Sequence, residues 1–388
     1  MLSIAVFTEC YHPMRNGVVV SVASFARVLA ALGHNVTIFT AQHPDMDGPE
    51  EGVFRFPSFT FPLQVVYPLA LPVATGKARK LLKFEHFDII HSHSPMLMGH
   101  VAVSYHRRRN IPLIFTYHTL MEEYTHYVPL PQAWVKKRAI NLSREYSNTS
   151  DHVITPTIHV ATRLRQYRVY KPISVIPTGI DLDLMDLLPD RDLRSELGIP
   201  AHAPLLAYAG RIALEKNIPR LISAFRLVLQ QEPDTHLLLI GGGPEEPMIQ
   251  QLCEDYGIAD HVRMTGFVSR ELVAQGLRQA DVFIFASETE TQGLVLGEAM
   301  ACHVPVVAVN AEVTQELVTN GREGFLVPDA DGPFADAILI LLRDPRLRAE
   351  MGQRARQRAE SISAFRCTER LVEIYQRTIE DLRWTMTR

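Results

Sequence analysis

Cysteine is scarce in this chain of 388 residues, and the thiols it has are widely scattered. The four positions are Cys10, Cys253, Cys302 and Cys367. Their spacing matches neither a metal site nor the dense framework of a disulfide-stapled domain. The pattern therefore predicts a protein of a reducing compartment.

Long apolar runs are also missing. No stretch of about 18 apolar residues occurs, so no membrane-spanning helix is expected. The first nine residues lack a basic leader and a cleavage-type end, and they are read as a strand instead of a signal peptide. No internal repeat is visible, which argues against a solenoid. With 47% hydrophobic and 21% charged residues, the length favours two globular domains.

Short apolar runs alternate with amphipathic segments along the chain. Strands at 3–8 and 35–40 flank a helix at 19–32, which makes a βαβ unit and implies a parallel sheet. A helix at 219–230 follows the first strand of the second half. The other predicted strands lie at 88–91, 113–117, 152–155, 205–208, 236–240, 262–265, 282–285, 304–309 and 325–327. The expected fold class is α/β with two Rossmann-like, doubly wound domains.

The boundary between the domains is predicted from a change of character at 168–180, where Pro and Gly interrupt the chain. We expect an N-terminal domain over 1–172 and a C-terminal domain over 173–364. A last helix within 365–388 is expected to pack back onto the N-terminal domain.

The net charge of −4 conceals an asymmetry between the halves. Residues 1–172 carry 18 Lys and Arg against 11 Asp and Glu, and the remainder is acidic. A basic half indicates an anionic partner, for which acidic lipid headgroups and nucleic acid both qualify. Uneven surface decoration is the alternative.

The most informative motif spans 286–301, where Glu290 and Glu298 stand eight residues apart with Gly293 between them. An apolar strand precedes the motif, and a helix is predicted from near Gln292. A helix that begins at the end of a strand offers unpaired N–H groups to a phosphate. Eight helical residues make just over two turns, so both acids are expected on one face. Acids are also common at ordinary helix starts, which is the alternative reading.

This block resembles the two-acid signature of the retaining glycosyltransferases of family 4, which have the GT-B fold of two Rossmann-like domains facing a cleft. The resemblance extends over most of the chain. It implies that Glu290 holds sugar hydroxyls and that Glu298 grips the ribose of a nucleotide sugar. Backbone groups of the intervening segment would hold sugar and phosphate, namely Gln292, Gly293, Leu294 and Val295.

Further segments match the family and carry its roles by resemblance. After the strand at 205–208, Gly210 and Arg211 precede Lys216, and the two bases would clasp the diphosphate as negative charge grows on it. His118 would contact the transferred sugar. Asn16 and Gly17 replace the usual Gly pair near the phosphates, and because Asn tolerates left-handed conformations the turn can survive.

Two segments complete the expected nucleotide site. Gly242 belongs to a Gly-rich turn that would lie under the nucleotide, and Val268 belongs to a segment whose backbone would read the base. The His-x-His pair at His91 and His93 has no Cys or acid partner and is read as cleft lining. No Asp-x-Asp pair precedes an apolar turn, so neither a catalytic metal nor a tightly bound cofactor is expected.

The acceptor is predicted from segments 7–18 and 116–127, which look like the corresponding parts of diacylglycerol glucosyltransferases. Acceptor contacts are expected at Tyr11, Tyr124 and His126. Residues 56–72 form an apolar loop broken by prolines, which suits contact with acyl chains. A loop packed into the core is the alternative.

Basic clusters at 77–83, 107–109 and 136–138 are expected to bind an anionic bilayer. Solvated helix faces are the other reading. Combined with the resemblance, they predict a cytoplasmic protein attached peripherally to the inner face of the cell membrane, with no nucleic-acid partner.

The chain is thus predicted to be a retaining hexosyltransferase that moves glucose from UDP-glucose to diacylglycerol. Two alternatives stay open. One is a GT-B transferase for a soluble or inositol-lipid acceptor. The other is a GT-B-fold epimerase or a binding protein without transfer activity.

Overall fold

A computed structural model describes residues 1–386 except 15, 47, 49, 60–68, 72, 124, 126–129 and 190. The chain divides into two compact units. The first unit comprises Met1–Gly179 with Ala364–Arg388, and the second comprises Ile180–Ser363.

The first unit is built on a seven-stranded parallel sheet with the strand order β3-β2-β1-β6-β7-β8-β9. Its strands are β1 (Ser3–Phe7), β2 (Asn35–Ala41), β3 (Val53–Phe56), β6 (Ile89–Ser92), β7 (Leu113–Thr116), β8 (His152–Thr155) and β9 (Ile173–Val175). The short strands β4 (Ser58–Phe59) and β5 (Leu69–Ala70) form a separate antiparallel pair. The helices are α1 (Gly17–Ala31), α2 (Gly76–Phe84), α3 (Leu97–Arg109), α4 (Gln132–Thr149), α5 (Ile158–Gln166) and the final α15 (Ala364–Met386).

The second unit carries a six-stranded parallel sheet with the order β12-β11-β10-β13-β14-β15. Its strands are β10 (Leu205–Ala209), β11 (His236–Ile240), β12 (Val262–Met264), β13 (Val282–Phe285), β14 (Val306–Val309) and β15 (Gly324–Val327). Its helices are α6 (Leu182–Asp186), α7 (Leu193–Glu196), α8 (Ile218–Leu229), α9 (Glu246–Asp255), α10 (Arg270–Arg278), α11 (Leu294–Ala301), α12 (Glu312–Leu317), α13 (Asp331–Arg343) and α14 (Pro345–Ser361).

Both sheets are covered by helices on their two faces, which explains the composition of their strands. Every residue of β10, β11 and β13 is buried, and none of these strands alternates between apolar and polar residues. Continuous apolar runs of this kind are typical of central parallel strands. In the first unit, four buried rings pack on one side of the sheet, from Phe7, Phe39, Phe56 and Phe87.

The predicted strands at 152–155, 236–240 and 282–285 have the bounds that the structure shows. The prediction at 304–309 starts too early, since β14 begins at Val306, and β3 and β9 were not predicted. The structure places the domain boundary after Gly179 instead of after residue 172. The reason is that β9 pairs with β8, which keeps residues 173–175 in the first sheet.

Two polar residues after β1 support helix starts in the first unit. Asn16 is the N-cap of α1, where its side chain accepts a hydrogen bond from the backbone N–H of Val19 at 3.0 Å. Its φ of −157° is extended, so the left-handed conformation that Asn tolerates is not adopted here: capping needs an extended residue. Glu9 reaches across the chain and accepts the N–H of Met98, because the local cap residue of α3 lacks a capping side chain.

The predicted apolar loop at 56–72 lies partly outside the described residues. Its ends form the antiparallel pair of β4 and β5, and Phe56 and Ala70 are fully buried. Phe59, Leu71 and Val73 are exposed. The described ends of this segment therefore combine core packing with an apolar surface.

Among the described residues, no helix is both long enough and apolar enough to cross a bilayer. The longest helix, α15, has 23 residues, and it packs against α1 in the first unit.

A buried polar network links α15 to the first sheet. His91, at the end of β6, has its Nδ1 atom 2.6 Å from the hydroxyl of Tyr375 and its Nε2 atom 2.6 Å from the hydroxyl of Thr116. Its ring packs on that of His93, which in turn stacks on His118. Burial lowers the pKa of His91 to about 3 and that of His118 to about 4, and it holds the pKa of His93 well below 6.5.

We predict that this network makes the stability of the first unit depend on pH. Histidines of the unfolded chain take up protons below pH 6.5, whereas the buried ones stay neutral until far lower pH. The unfolded state then binds more protons, so stability falls as pH drops below 6.5, by up to about 1.4 kcal/mol per pH unit for each histidine.

Thermal unfolding at pH 7.5 and pH 5.5 measures this loss. The drop in midpoint should be smaller in His91→Asn than in the parent, although the variant is less stable at both pH values. The exposed His86 provides the control, and His86→Asn should leave the drop unchanged. Equal drops in His91→Asn and the parent would contradict the assignment.

Candidate active site

The second sheet brings a base and an acid together at the point where its strand order reverses. β10 and β13 are neighbours, and the segments after them carry Lys216 and Glu290. The ammonium of Lys216 donates to Oε1 of Glu290, and the two side chains are 16% and 19% exposed. Ligands of doubly wound sheets bind at such reversal points, beside the carboxyl ends of the strands.

Arg211 lies on the same loop and is ion-paired with Glu215, at 2.7 Å between Nη2 and Oε1. The loop is held in place by Tyr208, whose hydroxyl donates to the Arg211 carbonyl, and by Ser287, which donates to the Glu215 carbonyl. Burial acts to raise the pKa of Glu215, but a backbone hydrogen bond, Arg211 and Lys216 together lower it. The loop thus presents two cations, each beside a carboxylate.

The helix after Glu290 starts later than the sequence predicted. α11 begins at Leu294, and its cap residue Gly293 has a left-handed φ of 68°, which suits glycine. Glu290 therefore lies before the helix, and the expectation that both acids share a helical face is wrong. Gln292 is buried, whereas Leu294 and Val295 are partly exposed at the helix start, where backbone N–H groups collect.

Glu298 lies on α11 and is only 9% exposed. Its Oε1 atom accepts a hydrogen bond from Nη2 of Arg270 at 2.9 Å. Burial raises the pKa of Glu298, and the positive charge of Arg270 opposes that shift. Arg270 was not among the predicted site residues, since nothing in the sequence pairs it with an acid 28 positions away.

The predicted Gly-rich turn follows β11. A Cβ atom on Gly241 would lie 2.1 Å from the Gly210 carbonyl oxygen, so backbone packing requires glycine there. At Gly242 the space is limited by side chains instead, chiefly the ring of Phe267. The side chain of Phe267 is 67% exposed, and Phe267 directly precedes Val268 in the chain. Gly210, Gly242 and Val268 thus lie at the carboxyl ends of three neighbouring strands, β10, β11 and β12.

In the first unit, three predicted residues follow two strands of the same parallel sheet. Tyr11 and Asn16 follow β1, and His118 follows β7, with β6 between these strands. Tyr11 is 8% exposed, and burial raises the pKa of its hydroxyl to about 12. Gly17 is the first residue of α1. The other two acceptor predictions, Tyr124 and His126, lie outside the described residues.

His118 is held by a second histidine. Its Nε2 atom lies 2.8 Å from Nδ1 of His93, and their rings stack with centroids 5.1 Å apart. His93 is 5% exposed, whereas His118 is partly accessible. One nitrogen of this pair must donate and the other accept, which suits two neutral rings. His118 therefore presents a neutral imidazole at the carboxyl end of β7.

Basic residues of the first unit gather on exposed helix faces. On α2, Ala78 is buried, and the four bases Lys77, Arg79, Lys80 and Lys83 are exposed. Arg109 at the end of α3 donates to the Lys83 carbonyl, so the clusters at 77–83 and 107–109 are neighbours. α4 carries three more exposed bases at 136–138, close in sequence to Trp134, which is 57% exposed.

Within the described residues, no group of three or more His, Cys, Asp and Glu side chains is arranged to hold a metal ion. The strongest cationic groups near the predicted diphosphate position are Arg211 and Lys216. Together with the start of α11, they can neutralise a phosphate.

Comparison with known sequences covers both units. Residues 15–184 match the profile of Glycosyltransferase Family 4, and residues 189–358 match that of Glycosyl transferases group 1. The chain is 30% identical to the alpha-monoglucosyldiacylglycerol synthase of Acholeplasma laidlawii, over 83% of this chain and 84% of that one. The synthase of the same name from Streptococcus pneumoniae is 32% identical, over 87% and 78%. A D-inositol 3-phosphate glycosyltransferase of Catenulispora acidiphila is 29% identical, over 95% and 91%.

Solved structures share the fold at lower identity. Sucrose-phosphate synthase from Thermosynechococcus elongatus superposes with a TM-score of 0.78 at 24% identity, over 98% of this chain and all of that one. An Anabaena protein crystallised in complex with UDP-glucose has a TM-score of 0.75 at 21% identity, over 97% and 100%. The two parallel-sheet units are thus the Rossmann-like domains of a GT-B fold. By sequence and by fold, the chain belongs to the family 4 glycosyltransferases and is a hexosyltransferase.

Proposed function

We propose that this enzyme is a retaining transferase that moves glucose from UDP-glucose to diacylglycerol at the inner face of the cell membrane. The second unit would hold the donor and the first unit the acceptor. The observation that carries the proposal is the ion pair of Lys216 and Glu290 at the strand-order reversal of the second sheet.

The donor chemistry follows from where these charges lie. When the bond between the sugar carbon C1 and the phosphate oxygen breaks, negative charge grows on the diphosphate. Lys216 and Arg211 would stabilise that charge, as would the N–H groups of Leu294 and Val295 at the start of α11. Glu290 and Glu215 are the carboxylates that pair with these two bases. A bound diphosphate would take that place and leave Glu290 to accept hydroxyls of the sugar.

Retention needs the acceptor hydroxyl to attack from the face that the diphosphate leaves. The new bond joins C1 to the acceptor oxygen, and the departing phosphate oxygen takes the hydroxyl proton. His118 would contact the sugar as a neutral ring, because burial lowers its pKa to about 4. Glu298 would accept ribose hydroxyls. No metal is required in this scheme, since side-chain cations and the helix start provide the positive charge.

The lipid acceptor is supported by two independent lines. The first is the likeness to two alpha-monoglucosyldiacylglycerol synthases over most of the chain. The second is the neighbouring basic clusters of α2 and α3, beside exposed apolar residues such as Phe84, over which the Lys83 ammonium lies at 5.0 Å. Bases that attract anionic headgroups and apolar groups that enter the interface together provide the two attractions that a peripheral enzyme needs.

A second candidate acceptor is an inositol phosphate. It is favoured by the likeness to a D-inositol 3-phosphate glycosyltransferase over 95% of this chain. That acceptor would need no membrane, so vesicle flotation distinguishes the two candidates.

The deciding experiment is a screen of UDP-, GDP- and ADP-hexoses against diacylglycerol vesicles and inositol 3-phosphate, with and without excess chelator. We expect α-linked glucosyldiacylglycerol from UDP-glucose, formed equally well with chelator present. A β-linked product would reject retention, and transfer only to inositol phosphate would reject the lipid acceptor. Loss of activity in chelator, restored by added metal, would reject the metal-free scheme.

We predict that Lys216→Ala and Glu290→Ala each reduce turnover by about a hundredfold to a thousandfold. Loss of one preorganised electrostatic contact in the transition state costs about 2.7–4 kcal/mol. Initial rates at saturating donor, with circular dichroism to confirm folding, measure the effect.

Each single variant leaves its partner's charge unpaired, so the double variant Lys216→Met, Glu290→Gln separates folding from chemistry. It should fold and remain inactive. As a control, Arg191→Ala breaks the exposed pair of Arg191 with Glu196 and should keep parental turnover. Parental rates in a folded Lys216→Ala or Glu290→Ala variant would contradict the site.

We also predict that the bases of α2 attach the enzyme to anionic membranes. Replacing Lys77, Arg79, Lys80 and Lys83 by Ser should weaken vesicle binding by several kcal/mol at most, at about 1 kcal/mol for each base near the surface. Because exposed charges are screened within about 8 Å at physiological salt, the parent should bind less well as salt rises. Co-sedimentation with anionic and neutral vesicles measures both effects.

The matched control removes four exposed arginines of the second unit, by replacing Arg191, Arg322, Arg343 and Arg346 with Ser. This variant has the same change of net charge and should bind like the parent. Transfer to a short-chain, soluble acceptor should change little in either variant. Equal vesicle binding by the α2 variant and the parent would show that these bases are only solvated surface.

A further inference from the structure

We propose that Arg270 is a positioning residue of the donor site, which holds the carboxylate of Glu298 in place as the acceptor for the ribose hydroxyls. This inference rests on the proposed function, which assigns the ribose to Glu298. It adds a residue that lies outside the two-acid signature and outside every site residue predicted from the sequence.

The contact itself is specific. Nη2 of Arg270 donates to Oε1 of Glu298 at 2.9 Å, and Glu298 is 9% exposed. Among the described residues, Arg270 is the side chain that donates a hydrogen bond to the Glu298 carboxylate, and it contacts only Oε1. The second oxygen, Oε2, can then accept from the ribose while Arg270 fixes the rotation of the group. A buried carboxylate without such a partner would destabilise the folded protein, and its orientation would not be fixed.

Arg270 is itself held by the fold. It is the first residue of α10, and the cap of this helix is Ser269, whose hydroxyl accepts the N–H of Leu272. Ala274 and Leu277 bury the inner face of α10, and α10 packs against α11. Both members of the pair therefore come from packed helices and not from mobile loops. The backbone that carries the Arg270 guanidinium is therefore fixed close to the carboxylate of Glu298.

The segment before α10 borders the predicted nucleoside position. Gly266 forms a bridge with Gly241 of the Gly-rich turn, and the exposed ring of Phe267 lies against Gly242. Arg270 follows only three residues after this ring. One short segment thus places the ring of Phe267 against the Gly-rich turn and the guanidinium of Arg270 beside Glu298.

The groups around Glu298 show how Arg270 affects the protonation of this carboxylate. Burial raises the pKa of Glu298, Arg270 acts against this, and Asp181 raises it further. Directly after α11, the half-buried thiol of Cys302 has a pKa raised by burial to about 12, so it contributes no charge. The ionised carboxylate accepts hydrogen bonds better than the protonated acid, and Arg270 is the group that favours the ionised form.

The test is a comparison of ribose preference by calorimetry at pH 7.5. Affinities of the full-length parent for UDP, GDP and ADP identify the diphosphate that binds best. The same nucleotide lacking both ribose hydroxyls, its 2′,3′-dideoxy analogue, is then titrated. Hydrogen bonds to a charged group predict that the parent prefers the ribose form by about tenfold to a hundredfold.

In Arg270→Met, this preference should fall to a few-fold at most, while affinity for the dideoxy analogue stays within about twofold of the parent. Arg270→Lys should restore part of the preference, because a point charge replaces the fork. Glu298→Gln should lose the preference as well, and the double variant should lose no more than either single one. The control is Arg343→Met, which breaks the distant pair of Arg343 with Glu232 and should behave as the parent.

The outcomes separate the possible failures. A ribose preference retained in Arg270→Met but lost in Glu298→Gln would overturn the role of Arg270 and leave the proposed function intact. A preference retained in both would overturn the assignment of the ribose to Glu298 and the inference with it. Equal loss of affinity for the ribose and dideoxy forms would mean that Arg270 contacts the nucleotide directly, which overturns a positioning role. If no diphosphate binds the parent, the proposed function and this inference both fail.

Discussion

Because β10 and β13 lie side by side while the order of the strands reverses between them, the segments after these two strands lead away to opposite faces of the sheet. The space between them is the place in the second unit where backbone N–H groups, a loop with two bases and a helix start meet. Lys216 and Glu290 occupy this space and neutralise each other. The parallel pairing of two buried apolar strands thus determines where charge can be concentrated.

Three ion pairs of the second unit have the same arrangement, a base beside a carboxylate. Lys216, Arg211 and Arg270 each pair with a carboxylate, respectively of Glu290, Glu215 and Glu298. Partly buried charges without partners would destabilise the unit, so the acids stabilise the bases until a ligand is bound. A diphosphate can replace a carboxylate beside a base at little cost, because one anion is exchanged for another. In the proposed scheme, Glu290 would then become available to neutral hydroxyls of the sugar, whereas Glu298 would keep its hydrogen bond to Arg270.

Most strands were predictable because their signals are local. A short apolar run such as 282–285 has the length of a buried strand, and a Gly between two acids after such a run indicates a helix start. The start of α11 was placed two residues early, because the left-handed Gly293 ends the loop later than the pattern of apolar residues suggested. The capping role of Asn16 was not predicted, because the bond from its side chain to the N–H of Val19 is visible only in the folded chain. β9 was missed because three residues flanked by Pro carry too little periodicity.

What the sequence could not predict are contacts between distant positions. The bonds from Arg270 to Glu298, from His93 to His118 and from Tyr375 to His91 join residues 28, 25 and 284 positions apart. Each depends on which strands are neighbours, and only the folded sheet establishes that order. A usable signal for Arg270 does exist, namely a base directly after the Ser cap of a helix that follows the predicted base-reading segment. It becomes informative only once α10 is known to pack against α11.

The two units solve the problem of buried polarity in different ways, and the difference matches the ligands proposed for each. The second unit uses ion pairs, which suits a donor whose diphosphate is charged. Near the carboxyl ends of β6 and β7, the first unit uses neutral histidines, with pKa values of about 3 for His91 and about 4 for His118. An acceptor hydroxyl and a sugar ring carry no charge, so a neutral imidazole can exchange hydrogen bonds with them without a counter-ion. The basic clusters of the first unit at 77–83, 107–109 and 136–138 instead lie on exposed helix faces, where an anionic surface and not a single ligand can neutralise them. Charge in the first unit is thus kept away from the proposed chemistry, and charge in the second unit is concentrated on it.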